Sequence, residues 1–316
     1  MIRNLGMAIS ENPLFETARY HDVKDPCPVW DGQQWHLYGS GGSSEVEMWN
    51  IFHATAPSLD GPWIEQQPAY LEGLQGDHVA APAVIYNPDT KLFNMFVQTD
   101  FMALGGTIER LVSADGQFFE HTNTLLKSLP GTAEAGIYDP DPAVIAGQKY
   151  ITYSGTAVVG QPDIYLARST NNTWKGPWER LGVILRHEDI EHHNQRGEQD
   201  YEWGLEGSQI VELPDGKVLL NAVCFLPSGT RGTRQRIFFA VSDNGVLGPY
   251  KSLGPILTPT QSGWASGENG HGSVLVDGEE LHLFYQARPS YSNSSNPGWR
   301  YGRVSFSLGE IKEMLA

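Results

Sequence analysis

Five hairpins of one design follow one another along this chain, and that repetition narrows its folds more than any other feature. In each, an apolar run ends in a turn signal and a second strand-like run follows. The turns are Asp31-Gly32, Asn87-Pro88-Asp89, Ala146-Gly147, Pro214-Asp215-Gly216 and Asp277-Gly278. The runs after them, such as Phe93-Asn94-Met95-Phe96-Val97 and Leu281-His282-Leu283-Phe284-Tyr285, are rich in residues that suit a pleated sheet. A later turn repeats too, as Gly61-Pro62-Trp63, Gly176-Pro177-Trp178 and Gly248-Pro249-Tyr250. Four strands repeated five times predict an all-β chain, a five-bladed β-propeller of four-stranded antiparallel blades. No composition shift or flexible linker divides residues 1–316, so the pattern reads as one domain. A lead-in covers residues 1–20, and a short helix over 309–316 carries the one stretch of helical periodicity.

Charge and composition exclude several functions. Lys and Arg number 21 against 37 Asp and Glu, for a net charge of −16. Such a surface repels nucleic-acid backbones and anionic lipid, so neither is an expected partner. Hydrophobic residues at 40% supply a core and exclude disorder. Cys27 and Cys224 are too few for a disulfide framework. No apolar stretch near the N-terminus resembles a secretory signal, so the expected location is cytoplasmic. The sequons at Asn171 and Asn293 carry no meaning there. The segment 186–203 holds His187, His192 and His193, whose spacing is too loose to read as a metal site.

Propellers bring the start of every innermost strand to one mouth of a central channel, so those starts are where chemistry is expected. They are Asp25-Pro26-Cys27-Pro28, Ala81-Pro82-Ala83, Asp139-Pro140-Asp141-Pro142, Glu206-Gly207-Ser208 and His271-Gly272-Ser273. Positions 25, 81, 139, 206 and 271 then align, which aims three carboxylates and an imidazole at one axis. Each alone is unremarkable, since Asp-Pro commonly opens a turn. Converging like charges cost stability, and folds tolerate that cost mainly where chemistry requires it.

These blade starts, with Tyr138-Asp139-Pro140-Asp141, Leu205-Glu206-Gly207, Gly270-His271-Gly272-Ser273 and Tyr285-Gln286-Ala287-Arg288, resemble family 43 of the glycoside hydrolases. The resemblance spans all five blades, roughly residues 22–307. It departs at Gln286, where His is usual, at Lys24, where Arg or His is usual, and before Ala81-Pro82, where Trp is common. The resemblance implies an inverting glycosidase. Asp25 would be the general base, Glu206 the general acid, and Asp139 the carboxylate that orients the acid and keeps it protonated. Asp141 competes with Asp139 for that third role. The internal repeat favours Asp139, leaving Asp141 as a candidate substrate contact. His271 would help hold a calcium ion on the axis, commonly through water, and no organic cofactor is implied. His78, Trp203 and Arg288 are candidate substrate contacts, with a salt bridge to a structural acid as the alternative for Arg288. The implied substrate is a short oligosaccharide of the arabinofuranoside, xyloside or galactoside class.

Two other functions fit the same pattern. A non-catalytic propeller that binds sugar would not need the general base. A phosphorylase or fructosidase-type relative is the other; a phosphorylase would need a cationic cluster at the mouth, for which Arg231, Arg234 and Arg236 are the candidates.

Overall fold

The computed structural model describes residues 7–42, 49–101, 104–158, 161–190, 204–227, 233–289 and 298–315. The hairpins expected from the turn signals form the inner halves of five antiparallel sheets. Their innermost strands are Asp22–Trp30, Ala80–Asn87, Gly136–Ile145, Leu205–Glu212 and Glu268–Asp277. Each pairs with the next strand in the chain, so every blade is a meander built outward from the axis.

Blades one, three and four have the expected four strands, whereas the other two differ. In blade two, Tyr70–Glu72 from the connecting segment adds a fifth, parallel strand against Phe118–Lys127. Blade five has three strands among the described residues. Its third strand, Arg300–Ser307, runs directly into a helix, Leu308–Leu315. Ser307 and Glu310 cap that helix reciprocally. The Ser307 backbone N–H donates to Glu310 Oε2 at 2.7 Å, and the Glu310 N–H donates to Ser307 Oγ at 3.2 Å. Leu308 and Ile311 then bury themselves against Leu281 and Phe306.

The core consists of five clusters, one at each interface between neighbouring blades. Successive side chains of a strand point to opposite faces, so each strand feeds two interfaces. In blade one Leu37 faces blade five while Tyr38 faces blade two, and in blade four Leu219 faces blade five while Leu220 faces blade three. Strands buried on both faces read as continuous apolar runs rather than alternating ones. Closure joins blade five to blade one. Val23 N–H donates to Trp299 O at 3.1 Å, and the Tyr301 hydroxyl donates to Lys24 O at 2.7 Å.

Candidate active site

The innermost strands share an irregularity at their mouth ends. In each, the ladder with the second strand skips one or two residues, between Lys24 and Cys27, Ala80 and Ala83, Tyr138 and Asp141, Glu206 and Gln209, and Gly270 and Gly272. The first skipped residue is left-handed every time. Its φ is 57° at Asp25, 49° at Ala81, 51° at Asp139, 57° at Gly207 and 28° at His271. A bulge of this kind re-aims a side chain and frees an N–H from the ladder. Pro26, Pro82 and Pro140 follow the bulge residue in three blades, where a missing N–H costs no ladder bond. Left-handed backbone at a non-glycine residue costs on the order of 1–3 kcal/mol, and four of the five positions bear that cost.

This ring corrects the sequence alignment in blade four. The position equivalent to Asp25, Ala81, Asp139 and His271 is Gly207, not Glu206. Glu206 lies one residue earlier, still in the ladder opposite Val223. A glycine suits the left-handed position, and a Cβ there would crowd the His271 ring. Glu206 therefore reaches the centre from a different backbone position than the two aspartates.

The freed amides are satisfied mainly from the preceding blade. Gln286 Oε1 accepts from Asp25 N–H at 2.7 Å, Ser40 Oγ from Ala81 N–H at 2.8 Å, and Gln98 Oε1 from Asp139 N–H. The Gly207 N–H donates to Asp139 Oδ2 at 3.2 Å. Ser40 also donates to Asp25 Oδ2 at 2.6 Å.

His271 stands at the centre of the carboxylates. Its Nδ1 lies 2.8 Å from Asp25 Oδ1, and its Nε2 lies 3.1 Å from Glu206 Oε1 and 3.5 Å from Asp139 Oδ2. Burial penalises the imidazolium, but Asp139 and Asp25 beside it outweigh that and hold His271 well above its ordinary pKa. Burial likewise opposes the charge on Asp25. The charges of His271 and Lys24 and the Ser40 hydroxyl prevail, keeping Asp25 well below the usual carboxylate range. Asp139 goes the other way. Burial, reinforced by Glu206 and Asp25 and only partly offset by His271, pushes it up to about 7. The upward push expected on the acid thus falls on Asp139 itself. The Lys24 ammonium is penalised by burial, yet Asp25, Glu206 and Asp139 raise its pKa, and it rests over the Trp49 ring at 5.4 Å.

Other candidate residues lie elsewhere. Asp141 sits deeper, lining an axial cavity of about 40 Å³ with Cys27, Ser208 and Ser273 beneath the Asp25–Asp139–His271 ring. Burial drives Asp141 well above the ordinary carboxylate pKa, and its Oδ1 has no hydrogen-bond partner. Arg288 pairs with the buried Glu268 through Nε and Nη2 and stacks on Trp299 at 4.5 Å. His78 is half-buried at a φ of 56° where the chain enters blade two, outside the lining of the axial cavity. Trp203 lies outside the described residues, as do His192, His193 and Arg231. His187 contacts Asp163 at 2.8 Å. Arg236 is buried and donates to the carbonyls of Gln235 and Gly267, so it offers no surface cation for phosphate.

Donor atoms of Asp139, Glu206 and His271 lie within 4.8 Å of one another. Calcium takes six to eight oxygen ligands. Asp139 and Glu206 would offer carboxylate oxygens to such a shell, water would complete it, and His271 would face the ion through water. His271 also supplies a counter-charge beside the carboxylates.

Sequence reasoning passed over Ser40, Gln98 and Gln235. Ser40, Gln98 and Gln286 were legible as polar ends of otherwise apolar second strands, at matching register in their blades. Gln235, which donates to Glu206 Oε1 at 3.1 Å, carried no such signal.

No protein-family model matches this sequence, and no curated protein matches it. Solved structures do. The catalytic domain of a GH62 α-L-arabinofuranosidase from Coprinopsis cinerea is 15% identical, with 93% of this chain and 95% of that one covered and a TM-score of 0.68. A thermostable family-43 glycoside hydrolase is 19% identical, with 93% and 92% covered and a TM-score of 0.63. The Cellvibrio cellulosa α-L-arabinanase, complexed with arabinohexaose, is 15% identical, with 90% and 91% covered and a TM-score of 0.64. At these identities the likeness is one of fold: over nine-tenths of its length, this chain has the five-bladed propeller of the family 43 and family 62 hydrolases.

Proposed function

We propose that this protein is a glycoside hydrolase that inverts the anomeric centre of short arabinofuranosyl, xylosyl or galactosyl oligosaccharides. One observation carries the reading: Asp25 and Glu206 face opposite nitrogens of the same imidazole. The path through that ring bounds the separation of their nearest oxygens at roughly 8 Å, which stays below the roughly 9.5 Å upper limit of an inverting pair. Asp25 is held ionised, as a base that accepts a proton from water must be. Glu206 would protonate the leaving oxygen, and the His271 imidazolium at 3.1 Å would then stabilise the carboxylate left behind. Asp139 faces the same ring nitrogen as Glu206 and itself keeps a proton up to about 7. The neighbours named for arabinofuranosidase and arabinanase activities support the arabinofuranosyl member of that class.

The elevated pKa of Asp139 favours a second reading, in which Asp139 delivers the proton and Glu206 orients it. One experiment tests the whole. A panel of arabinofuranosides, xylosides and galactosides is hydrolysed with the product anomer followed by NMR, for the parent, Asp25→Asn, Glu206→Gln and Asp139→Asn. The proposal expects the inverted anomer and its loss in Asp25→Asn. A retained anomer, or no turnover of any glycoside, contradicts it.

A further inference from the structure

Glu206 Oε1 accepts from two donors, His271 Nε2 at 3.1 Å and Gln235 Nε2 at 3.1 Å. Gln235 is itself held. Its Oε1 accepts from Gln286 Nε2 at 3.2 Å, and Gln286 Oε1 accepts from the Asp25 backbone N–H at 2.7 Å. The orientation of both amides follows from the end of this chain. A backbone N–H can only donate, so Gln286 must turn its carbonyl to Asp25. Its NH2 then faces Gln235, which must turn its own carbonyl inward and its NH2 toward Glu206. The surroundings are built for this arrangement. Gly270 leaves the space that the Gln235 carbonyl occupies, since a Cβ there would land on that oxygen. The Gln235 backbone N–H donates at 2.9 Å to Glu268, which Arg288 holds. Gln286 is fully buried.

We propose that Gln235 and Gln286 form an amide relay that positions the proton donor by reserving Glu206 Oε1 as an acceptor. A proton carried by Glu206 then sits on Oε2, and the relay sets that oxygen by reference to the backbone of the general base. The proposal rests on Glu206 as the acid of the preceding section. Gln235 and Gln286 touch neither substrate nor water in this account; they are positioning residues that act through Glu206. Gln286 stands where the resembling family commonly has His. A neutral imidazole also offers one acceptor and one donor on opposite edges, so Gln286→His should preserve the relay whereas Gln286→Met cannot.

The test has an arm independent of turnover. In the parent, the side-chain NH2 protons of Gln235, followed by NMR, should exchange slowly with solvent. They should exchange faster in Gln286→Met and remain slow in Gln286→His. Fast exchange in the parent, or no difference between the two variants, overturns the relay. In the kinetic arm, Gln235→Met should lower kcat on an unactivated glycoside roughly 10- to 100-fold, the scale of a misplaced catalytic group. KM should stay within about twofold, and an aryl glycoside with an acidic leaving group should lose less than about threefold, because it needs little proton donation. Equal losses on the two substrates would make Gln235 merely structural and overturn the proposal. If the parent hydrolyses no glycoside, the functional reading falls, and the exchange arm alone decides whether the relay exists.

Discussion

Asp25 and Asp139 occupy the same position in their blades, share a left-handed backbone, and are driven in opposite directions. Asp25 faces the Nδ1 side of His271 with Lys24 adjacent, so its ionised form is favoured. Asp139 is buried among like charges and keeps its proton up to about 7. Linkage turns this into two opposed stability effects. A depressed carboxylate contributes stability above its unfolded pKa, lost as pH falls through the folded value. A raised one binds more protons folded than unfolded between about 3.9 and its folded value, so stability drains away as pH rises across that window. At pH 8, Asp25→Asn should therefore lower the melting temperature and Asp139→Asn should raise it, at roughly 1–2 °C per kcal/mol for a chain of this size. Thermal melts in which both variants move the same way would contradict this assignment of charge. Activity supplies the matching expectation for Glu206. Glu206→Gln should lose about 100-fold or more on a natural glycoside and recover part of that on an activated aryl glycoside. Similar losses on both would remove Glu206 as the proton donor.

At the scale of the element, the interface between blades one and two carries a polar stack inside an apolar cluster. His36, Tyr38 and His53 stack on adjacent strands, with His53 centroids 5.2 Å from His36 and 4.8 Å from Tyr38. His36 Nε2 meets Asp31 at 3.0 Å, His36 Nδ1 meets His53 Nε2 at 3.0 Å, and His53 Nδ1 meets Gln117 Oε1 at 3.0 Å. One proton fits between the two imidazoles, and burial holds His53 down to about 4. Because that lies below the ordinary histidine value of about 6.5, the unfolded chain binds more protons between the two, and stability falls with pH across this window. The decline expected from pH 7 to pH 4.5 is about 2 kcal/mol. His53→Gln should flatten it, as read from melting temperature against pH. Parallel curves for parent and variant would show that acid sensitivity arises elsewhere.

For the molecule as a whole, closure of the ring is the step on which the site depends, because Asp25 and His271 come from opposite ends of the chain. Blade five lacks a fourth strand among the described residues, so contacts with blade one carry the seam. Tyr301 packs with Phe52 and donates to the Lys24 carbonyl one residue from Asp25. Gly39 makes that approach feasible, since a Cβ at this position would meet both the Tyr301 hydroxyl and the Lys24 carbonyl oxygen. The backbone oxygen cannot yield as a flexible side chain would. Gly39→Ala should therefore cost about 1–3 kcal/mol of overpacking and reduce activity along with the melting temperature. Gly309→Ala, in the C-terminal helix with only ordinary contact to Ser307, is the control and should not lower it. A Gly39→Ala protein with parental stability would locate the seam in other contacts.

Turns and bulges are decided within a few residues, and these the amino-acid sequence determined by itself. Asp31-Gly32 and Asp277-Gly278 set the hairpins, Ser307 and Glu310 the helix start, and Asp25-Pro26 and Asp139-Pro140 the bulges that face the axis, because each depends on local backbone freedom or a missing N–H. The tertiary structure decided what depends on groups remote in sequence. It moved the blade-four position from Glu206 to Gly207, set Arg288 against Glu268, and gave the raised pKa to Asp139. It also brought Gln235 to Glu206, a pairing no repeat announces. The reason is physical. A φ angle is fixed by its own residue and neighbours, whereas a buried charge is fixed by whatever faces it across the axis, and that is known only once the ring has closed.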